Sequence, residues 1–202
     1  MQVYVATTNQ GKLRELRELT KGSGLELLID ETYAAVPENG ATYGENAAAK
    51  ARALRDSLTE SGIRAAVLAD DSGLEVAALQ GRPGLLSARY GGDRSWEARR
   101  RLLLEEVGDT DDRAARFLCV LHFIDDRGGE SVSEAFVEGE ITKEERGERG
   151  FSYDPIFLYP PLARTFAELT PGEKNAISHR AVAVSKLLAA IGLASERVGI
   201  AG

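Results

Sequence analysis

The stretch Arg64–Ala69, RAAVLA, is apolar after its first residue and shows no alternation, the pattern of a strand buried inside a sheet. It stops on two adjacent carboxylates, Asp70 and Asp71, and the Ser72–Gly73 pair that follows has the composition of a turn. Two anions side by side at a buried strand end repel each other and lose hydration unless a cation or strong donors lie between them. Two readings follow. A divalent cation such as Mg²⁺, which takes carboxylate oxygen and keeps waters, would relieve the repulsion. Alternatively Asp70 is a solvated turn residue and Asp71 makes an Asx turn with Ser72 and Gly73. Strand carboxyl ends are where ligand crevices of α/β proteins lie, which gives the first reading its weight.

The rest of the chain alternates in type. Gln2–Ala6 reads as a strand, Thr7–Gly11 as a polar turn and Lys12–Thr20 as a helix, followed by a strand over Leu25–Ile29. The Pro37, Asn39 and Gly40 cluster leads into an alanine-rich helix with Ala47, Ala51, Leu54 and Leu58 at helical spacing, and Thr42 and Glu45 have the spacing of a capping box. Leu74–Leu79 is expected to be another short strand or an extended segment. SWEARRRLLLEEVG reads as a helix that ends at Gly108, and Arg116–Asp125 and Ser131–Ile141 as long strands joined by a DRGG hairpin turn, a pair that could build a second lobe. PIFLYP is a short strand bounded by prolines. The last helix starts between Thr170 and Ser178, with Thr170, Pro171 and Glu173 as start signals, and buries Ile177, Ala181, Val184, Leu188 and Ile191. Mixed strands and helices without a linker or repeat imply a single α/β or α+β domain over residues 1–202.

Charge narrows the partners. A net charge of −7 argues against nucleic acid, whose affinity comes from a basic surface. A small anion in a locally basic cleft is still compatible with it. The lone Cys119 lies in the apolar run FLCVLHFI and is expected to be a reduced core side chain. The start MQVYVATTNQGK lacks a signal-peptide pattern, and no apolar run approaches the ~18 residues of a membrane span. A soluble cytoplasmic protein is the expectation.

Three further segments carry chemistry-bearing residues. ATTNQGKLRE places a polar turn between a strand and a helix, where backbone N–H groups, Lys12 and the side chains of Thr7, Thr8 and Asn9 suit a phosphate. It is not a Walker loop, because the spaced glycine is missing and Leu13 follows the lysine. In ERGFSYDPIF, Phe151 and Tyr153 could stack on a planar base with Asp154 accepting from its edge, or could belong to an ordinary half-buried edge strand. In EKNAISHRAVAV, His179 falls opposite the apolar stripe and Arg180 at its edge, so both read as exposed; with Lys174 they form a cationic cluster in an acidic chain. Glu45 reads either as a cap residue or as a metal ligand.

In order, TTNQGK, ENAAAKA, DDSGLEV, PGLLSARY, GFSYDPIF and EKNAISHR resemble the inosine/xanthosine triphosphate pyrophosphatase family, from about Val3 to Ile191. The resemblance implies an elongated α/β mixed-sheet fold with two lobes around a central nucleotide-binding cleft, usually a homodimer, using Mg²⁺. It implies hydrolysis of purine nucleoside triphosphates with deaminated bases (ITP, dITP, XTP) to monophosphate and pyrophosphate. Carried over by motif, Thr7, Thr8, Asn9, Gln10, Gly11 and Lys12 hold phosphates. Glu45 and Asp71 serve the metal, and Asp71 is the proton acceptor. Ser72 touches substrate. Phe151, Ser152, Tyr153, Asp154, Lys174, His179 and Arg180 line the nucleotide site, the last two near the base, and Asp70, Lys50 and Arg89 support it. On this reading the countercharge for the acidic pair is Mg²⁺ with its triphosphate, not a protein side chain.

Two positions depart from the family pattern. Thr8 stands where a smaller residue is frequent, and Ser152 where glycine is usual; if that position needs positive φ, Ser152 bears on base selectivity or tightens the pocket. Rival classes fit less. An aspartyl phosphatase wants Asp-x-Asp after the strand, an aspartic protease needs two Asp-Ser-Gly loops or a symmetric dimer, and a nucleotide-binding regulator would not need Asp71.

Overall fold

The computed structural model describes residues 1–193 of the 202-residue chain. Its elements run β1 (Gln2–Ala6), α1 (Gln10–Leu19), β2 (Glu26–Leu28), α2 (Tyr43–Glu60), β3 (Ala66–Val76), α3 (Trp96–Val107), β4 (Ala114–Ile124), β5 (Glu130–Ile141), β6 (Phe157–Tyr159), β7 (Arg164–Thr165), α4 (Pro171–Ile177) and α5 (His179–Ala190). The strands form one mixed α/β sheet in the order β2-β1-β3-β4-β5-β6-β7. β1 pairs in parallel with β2 and β3, whereas β6 pairs antiparallel with β5 and β7.

The chain divides into two compact units, Met1–Asp71 with Cys119–Ala135 and the segment from Arg180, and Ser72–Leu118 with Phe136–His179. In the first unit, strand alternation sorts the core into two layers. Val3, Val5 and Leu68 pack with Leu13 and Leu16 of α1 and with Ala183, Val184, Leu187 and Leu188 of α5. Ala6, Val67 and Ala69 pack with Ala51, Leu54 and Leu58 of α2. A strand covered by helices on both sides has no polar face, which is why RAAVLA carries none.

In the second unit, Leu74 and Val76 of β3, Phe117 of β4 and Ile141 of β5 join Leu103 and Val107 of α3 and Tyr153, Phe157, Phe166 and Leu169 in one core. Phe117 and Phe157 rings lie 4.5 Å apart and Phe157 and Phe166 rings 4.9 Å. Gly139 lets β6 approach β5: a Cβ there would run into the Leu158 carbonyl oxygen and come within 2.5 Å of the Phe157 ring.

Two sequence expectations are corrected here. Asp70 and Asp71 do not end a strand: β3 runs unbroken through Ser72 and Gly73 to Val76, and Ala77–Leu79 is a 3-10 turn. Ladder pairing overrides the local turn tendency of Asp-Ser-Gly. The parallel pairing with β1 does stop at Ala6 opposite Ala69, so the two carboxylates still lie just past the carboxyl end of the parallel part of the sheet. The last helix is likewise two helices, because Ser178 is extended (φ −68°, ψ 154°) between α4 and α5. The Thr170 capping box with Glu173 is present as expected, and so is the helix α3 with Gly108 at its end.

Candidate active site

Asp70 and Asp71 are neighbours in sequence and point to opposite faces of β3, as alternate strand residues must. Asp70 takes the face of Leu68, toward α1 and α5. Its carboxylate is fully buried, meets the Lys12 ammonium at 2.5 Å and the Arg180 Nε at 2.7 Å, and accepts from the Cys119 thiol at 3.3 Å. Arg180 also donates to Glu15 through Nη1. Burial pushes the Asp70 carboxyl up, but Arg180 and Lys12 more than offset it and hold the group well below the usual carboxylate range.

Asp71 takes the face of Ala69, toward α2. The Lys50 ammonium donates to its Oδ1 at 2.8 Å, and the Asn46 side-chain amide donates to its Oδ2 at 3.1 Å. Lys50 donates further to Glu38 at 2.8 Å and to the Asp70 carbonyl at 2.9 Å. Burial, only partly countered by Lys50 and Lys12, raises the Asp71 carboxyl above its ordinary value. One face of the strand therefore stores a carboxylate that stays ionised, and the other carries one with raised basicity.

The expectation that no protein side chain supplies the countercharge is corrected: Lys12 and Arg180 neutralise Asp70, and Lys50 pairs with Asp71. Among the described residues no group of three or more His, Cys, Asp or Glu forms a metal cage. Mg²⁺ does not need one, since one or two carboxylates with substrate oxygens and water hold it. The donor set fits such an ion, because the Asp71 and Glu38 carboxylates already converge on a positive charge, the Lys50 ammonium. Glu45 is exposed and serves its helix end: Thr42 accepts its N–H at 3.1 Å and its Oε2 accepts from Ala41 N at 2.7 Å.

At the α1 start, Asn9 is the cap residue, and its Oδ1 accepts from Gly11 N at 2.9 Å and Lys12 N at 3.1 Å. Thr7 accepts from Asn9 N at 3.1 Å, Thr8 and Gln10 are exposed, and the Lys12 side chain is 16% exposed at the edge of its ion pair. The helix end thus satisfies several of its own N–H groups, leaving Lys12 and the Thr7–Gln10 side chains as the contacts it offers to an anion.

The second unit carries the aromatic loop. Asp154 is buried, and its Oδ2 accepts from Phe151 N at 2.7 Å and from the Lys174 ammonium at 2.6 Å. Lys174 lies 4.9 Å over the Phe151 ring. Tyr153 donates to the Ser87 carbonyl at 3.0 Å and meets Trp96 edge-on at 5.4 Å, and Arg100 donates to the Ser152 carbonyl at 2.9 Å. Ser152 has φ 60°, so this position does require the left-handed conformation that glycine adopts freely. Ser72 is half-buried and Arg89 exposed. His179 is buried and stacks on Phe117 at 4.8 Å with 16° between planes.

A family model described as the Ham1 family matches residues 3–190. The chain belongs to the Ham1 family. It is 44% identical over 197 residues to the dITP/XTP pyrophosphatase of Exiguobacterium sibiricum, covering 95% of this chain and 97% of that protein. To the dITP/XTP pyrophosphatase of Coxiella burnetii it is 42% identical, covering 93% and 94%. The solved Ham1 protein of Staphylococcus aureus superposes with a TM-score of 0.82 at 38% identity over 95% of this chain and 98% of that one. The dITP/XTP pyrophosphatase of Mycobacterium abscessus superposes at 0.70 with 41% identity, covering 93% and 99%.

Within this Ham1 chain the first unit brings together Lys12, Lys50, Asp70, Asp71 and Arg180, and the second brings together Phe151–Asp154 and Lys174. The exposure expected for His179 and Arg180 is overturned, both being under 5% exposed. The extended Ser178 resets the helical phase, so a stripe drawn from Ile177 still meets the buried Val184 and Leu188 but puts His179 and Arg180 on the wrong side. Ala183, Val184, Leu187 and Leu188 are the buried apolar residues of α5. Sequence reasoning missed Asn46, Glu38, Glu15 and Arg100. For Asn46 a signal existed: it lies four residues before Lys50, on the border of the Ala47, Ala51, Leu54 stripe, so both meet the same strand residue.

Proposed function

We propose that this chain is a nucleoside triphosphate pyrophosphatase that hydrolyses ITP, dITP and XTP to the monophosphate and pyrophosphate, using Mg²⁺. The observation that carries the reading is Asp71, a buried carboxylate of raised basicity held by two donors from one helix face. The names of relatives over 40% identical along almost the whole chain support the substrate class. Cytoplasmic action as a homodimer belongs to the same proposal, and no described helix is long and apolar enough to cross a membrane.

Asp71 accepts the proton of the water that attacks the α-phosphorus, and pyrophosphate leaves with the electrons of the broken P–O bond. Asp71, with Glu38 beside it and Glu45 as the family resemblance implies, would hold the Mg²⁺, which when bound would neutralise triphosphate oxygens. Lys12 and the Thr7–Gly11 segment take phosphate oxygens, with Lys12 exchanging Asp70 for the incoming anion. Ser72 contacts the nucleotide, Asp70, Lys50 and Arg89 support the site, and Phe151, Ser152, Tyr153, Asp154 and Lys174 shape the nucleotide contact. His179 and Arg180 supply the donors for the 6-oxo group; a site whose donors go unpaired against adenine rejects it.

Incubation with ITP, XTP, dITP, ATP and GTP plus Mg²⁺, with products resolved chromatographically, tests this. We expect pyrophosphate from the first three and little turnover of ATP. Orthophosphate as the product would sink the mechanism, and equal rates on ATP and ITP would sink the selectivity.

A further inference from the structure

We propose that Asn46 is a positioning residue for Asp71: its side-chain amide ties the loop before α2 to the carboxylate and fixes the direction in which that carboxylate faces. Asn46 is 2% exposed, and both ends of its amide are used. Gly40 N donates to its Oδ1 at 2.8 Å, and its Nδ2 donates to Asp71 Oδ2 at 3.1 Å. The two partners dictate the amide's orientation, since a backbone N–H can only donate and an ionised carboxylate can only accept.

One helix turn further along α2, Lys50 takes the other oxygen of Asp71 at 2.8 Å. A carboxylate held at one oxygen can swivel about its last torsion, whereas one held at both cannot. Asn46 therefore converts a salt bridge into a fixed plane and leaves the outer lone pairs of Asp71 directed away from α2. Such a neighbour acts through the reacting group without touching substrate, and its loss typically lowers activity by roughly 10- to 100-fold.

Gly40 completes the device. A Cβ at this position would lie 2.7 Å from Asn46 Oδ1 and 2.8 Å from the Glu45 Cβ, so only glycine allows the loop to come within hydrogen-bonding reach of the amide. Gly40→Ala should thus disturb Asp71 from the loop side by pushing on the Asn46 amide oxygen, without removing the Asn46 side chain.

The kinetic part of the test rests on the pyrophosphatase reading, and the spectroscopic part does not. With ITP and Mg²⁺, Asn46→Ala should lower kcat roughly 10- to 100-fold with KM within about threefold of wild type. Asn46→Asp keeps the oxygen that Gly40 donates to and drops the N–H given to Asp71, so it should lose kcat as Asn46→Ala does. Gly40→Ala should lose it too. Independently of turnover, the Asn46 side-chain amide signals in a ¹H–¹⁵N spectrum should be protected from exchange and move when Asp71→Asn is introduced. Unchanged kcat in both Asn46 variants alongside a lowered melting temperature would mean a purely structural amide and overturn the proposal. A raised KM at constant kcat would make Asn46 a substrate contact and also overturn it, as would amide signals that ignore Asp71→Asn. Should Asn46→Ala not fold, Gly40→Ala and the spectrum decide. If wild-type protein releases no pyrophosphate, the functional reading fails and the spectrum alone decides the role of Asn46.

Discussion

A carboxylate serves as a base only if it is both basic and correctly aimed, and Asp71 is given the two properties by different neighbours. Burial raises its proton affinity, while Lys50 and Asn46 hold its two oxygens. Asp71→Asn keeps the shape and removes the proposed proton acceptor, so turnover of ITP should fall by about 10²-fold or more with the melting temperature close to wild type. Wild-type kcat in that variant would dismiss Asp71 as proton acceptor. Ser152 offers a second residue-scale case. Its φ of 60° is one that an L side chain enters at a cost of about 1 kcal/mol, and a glycine there is free of it but has more unfolded-state entropy to lose. Ser152→Gly is therefore expected to leave stability within about 1 kcal/mol of wild type, on the stabilising side, in a urea melt. A loss beyond that would show that the Ser152 side chain makes a contact worth more than the strain. Asp71 was legible in the sequence because an acidic pair in an apolar run is conspicuous. For Asn46 only its place on the helix was legible, one turn before Lys50 at the border of the apolar stripe; its pairing with Asp71 and Gly40 was not, because those partners lie far away in the chain or outside the helix.

The elements explain where sequence periodicity succeeds and where it stops. β1, α2, α3 and the β4–β5 hairpin follow directly from apolar spacing, caps and the Asp125–Gly129 turn, whose ends bond at 2.9 Å. Periodicity carries no memory across a break, however. One extended residue at Ser178 separates α4 from α5 and reverses the expected burial of His179 and Arg180. Likewise Asp-Ser-Gly has turn chemistry but continues β3, because neighbouring strands supply ladder partners that no local window contains. The same non-local logic marks Gly139 in the middle of β5, where the Leu158 carbonyl and the Phe157 ring occupy the space a side chain would need. A backbone carbonyl on a paired strand cannot swing aside, so Gly139→Ala should destabilise the fold by about 1–3 kcal/mol in a denaturant titration. A variant as stable as wild type would mean that β6 can move away from β5 at little cost.

At the scale of the whole molecule, the acidic composition and the ion pairs make one joint statement about pH. Several carboxyls are held below their ordinary values: Asp70, where Arg180 and Lys12 outweigh burial; Asp125, bonded first by Gly129 N; and Glu168, bonded first by Thr165 N. Glu173, bonded first by Arg164, is lowered from 4.5 to about 2. For each, the unfolded chain takes up its proton before the native state does, so unfolding binds protons and becomes easier as pH falls. Asp71 has the opposite sign: burial raises it from 3.8, so its share of stability is present below that value and lost as pH rises through its native value. The lowered group outnumbers it, and net stability should hold from neutrality down to the carboxylate range and then drop. Glu173 isolates one contribution, because it is only half-buried and closes the Thr170 capping box as well as pairing with Arg164 at 2.7 Å. The melting-temperature difference between wild type and Glu173→Gln should be present at about pH 6 and shrink as pH falls from 4.5 toward about 2, where the wild-type side chain also becomes neutral. A difference of constant size across that range would assign the role of Glu173 to its shape and neutral hydrogen bonds, and leave the acid sensitivity to the buried Asp70 cluster.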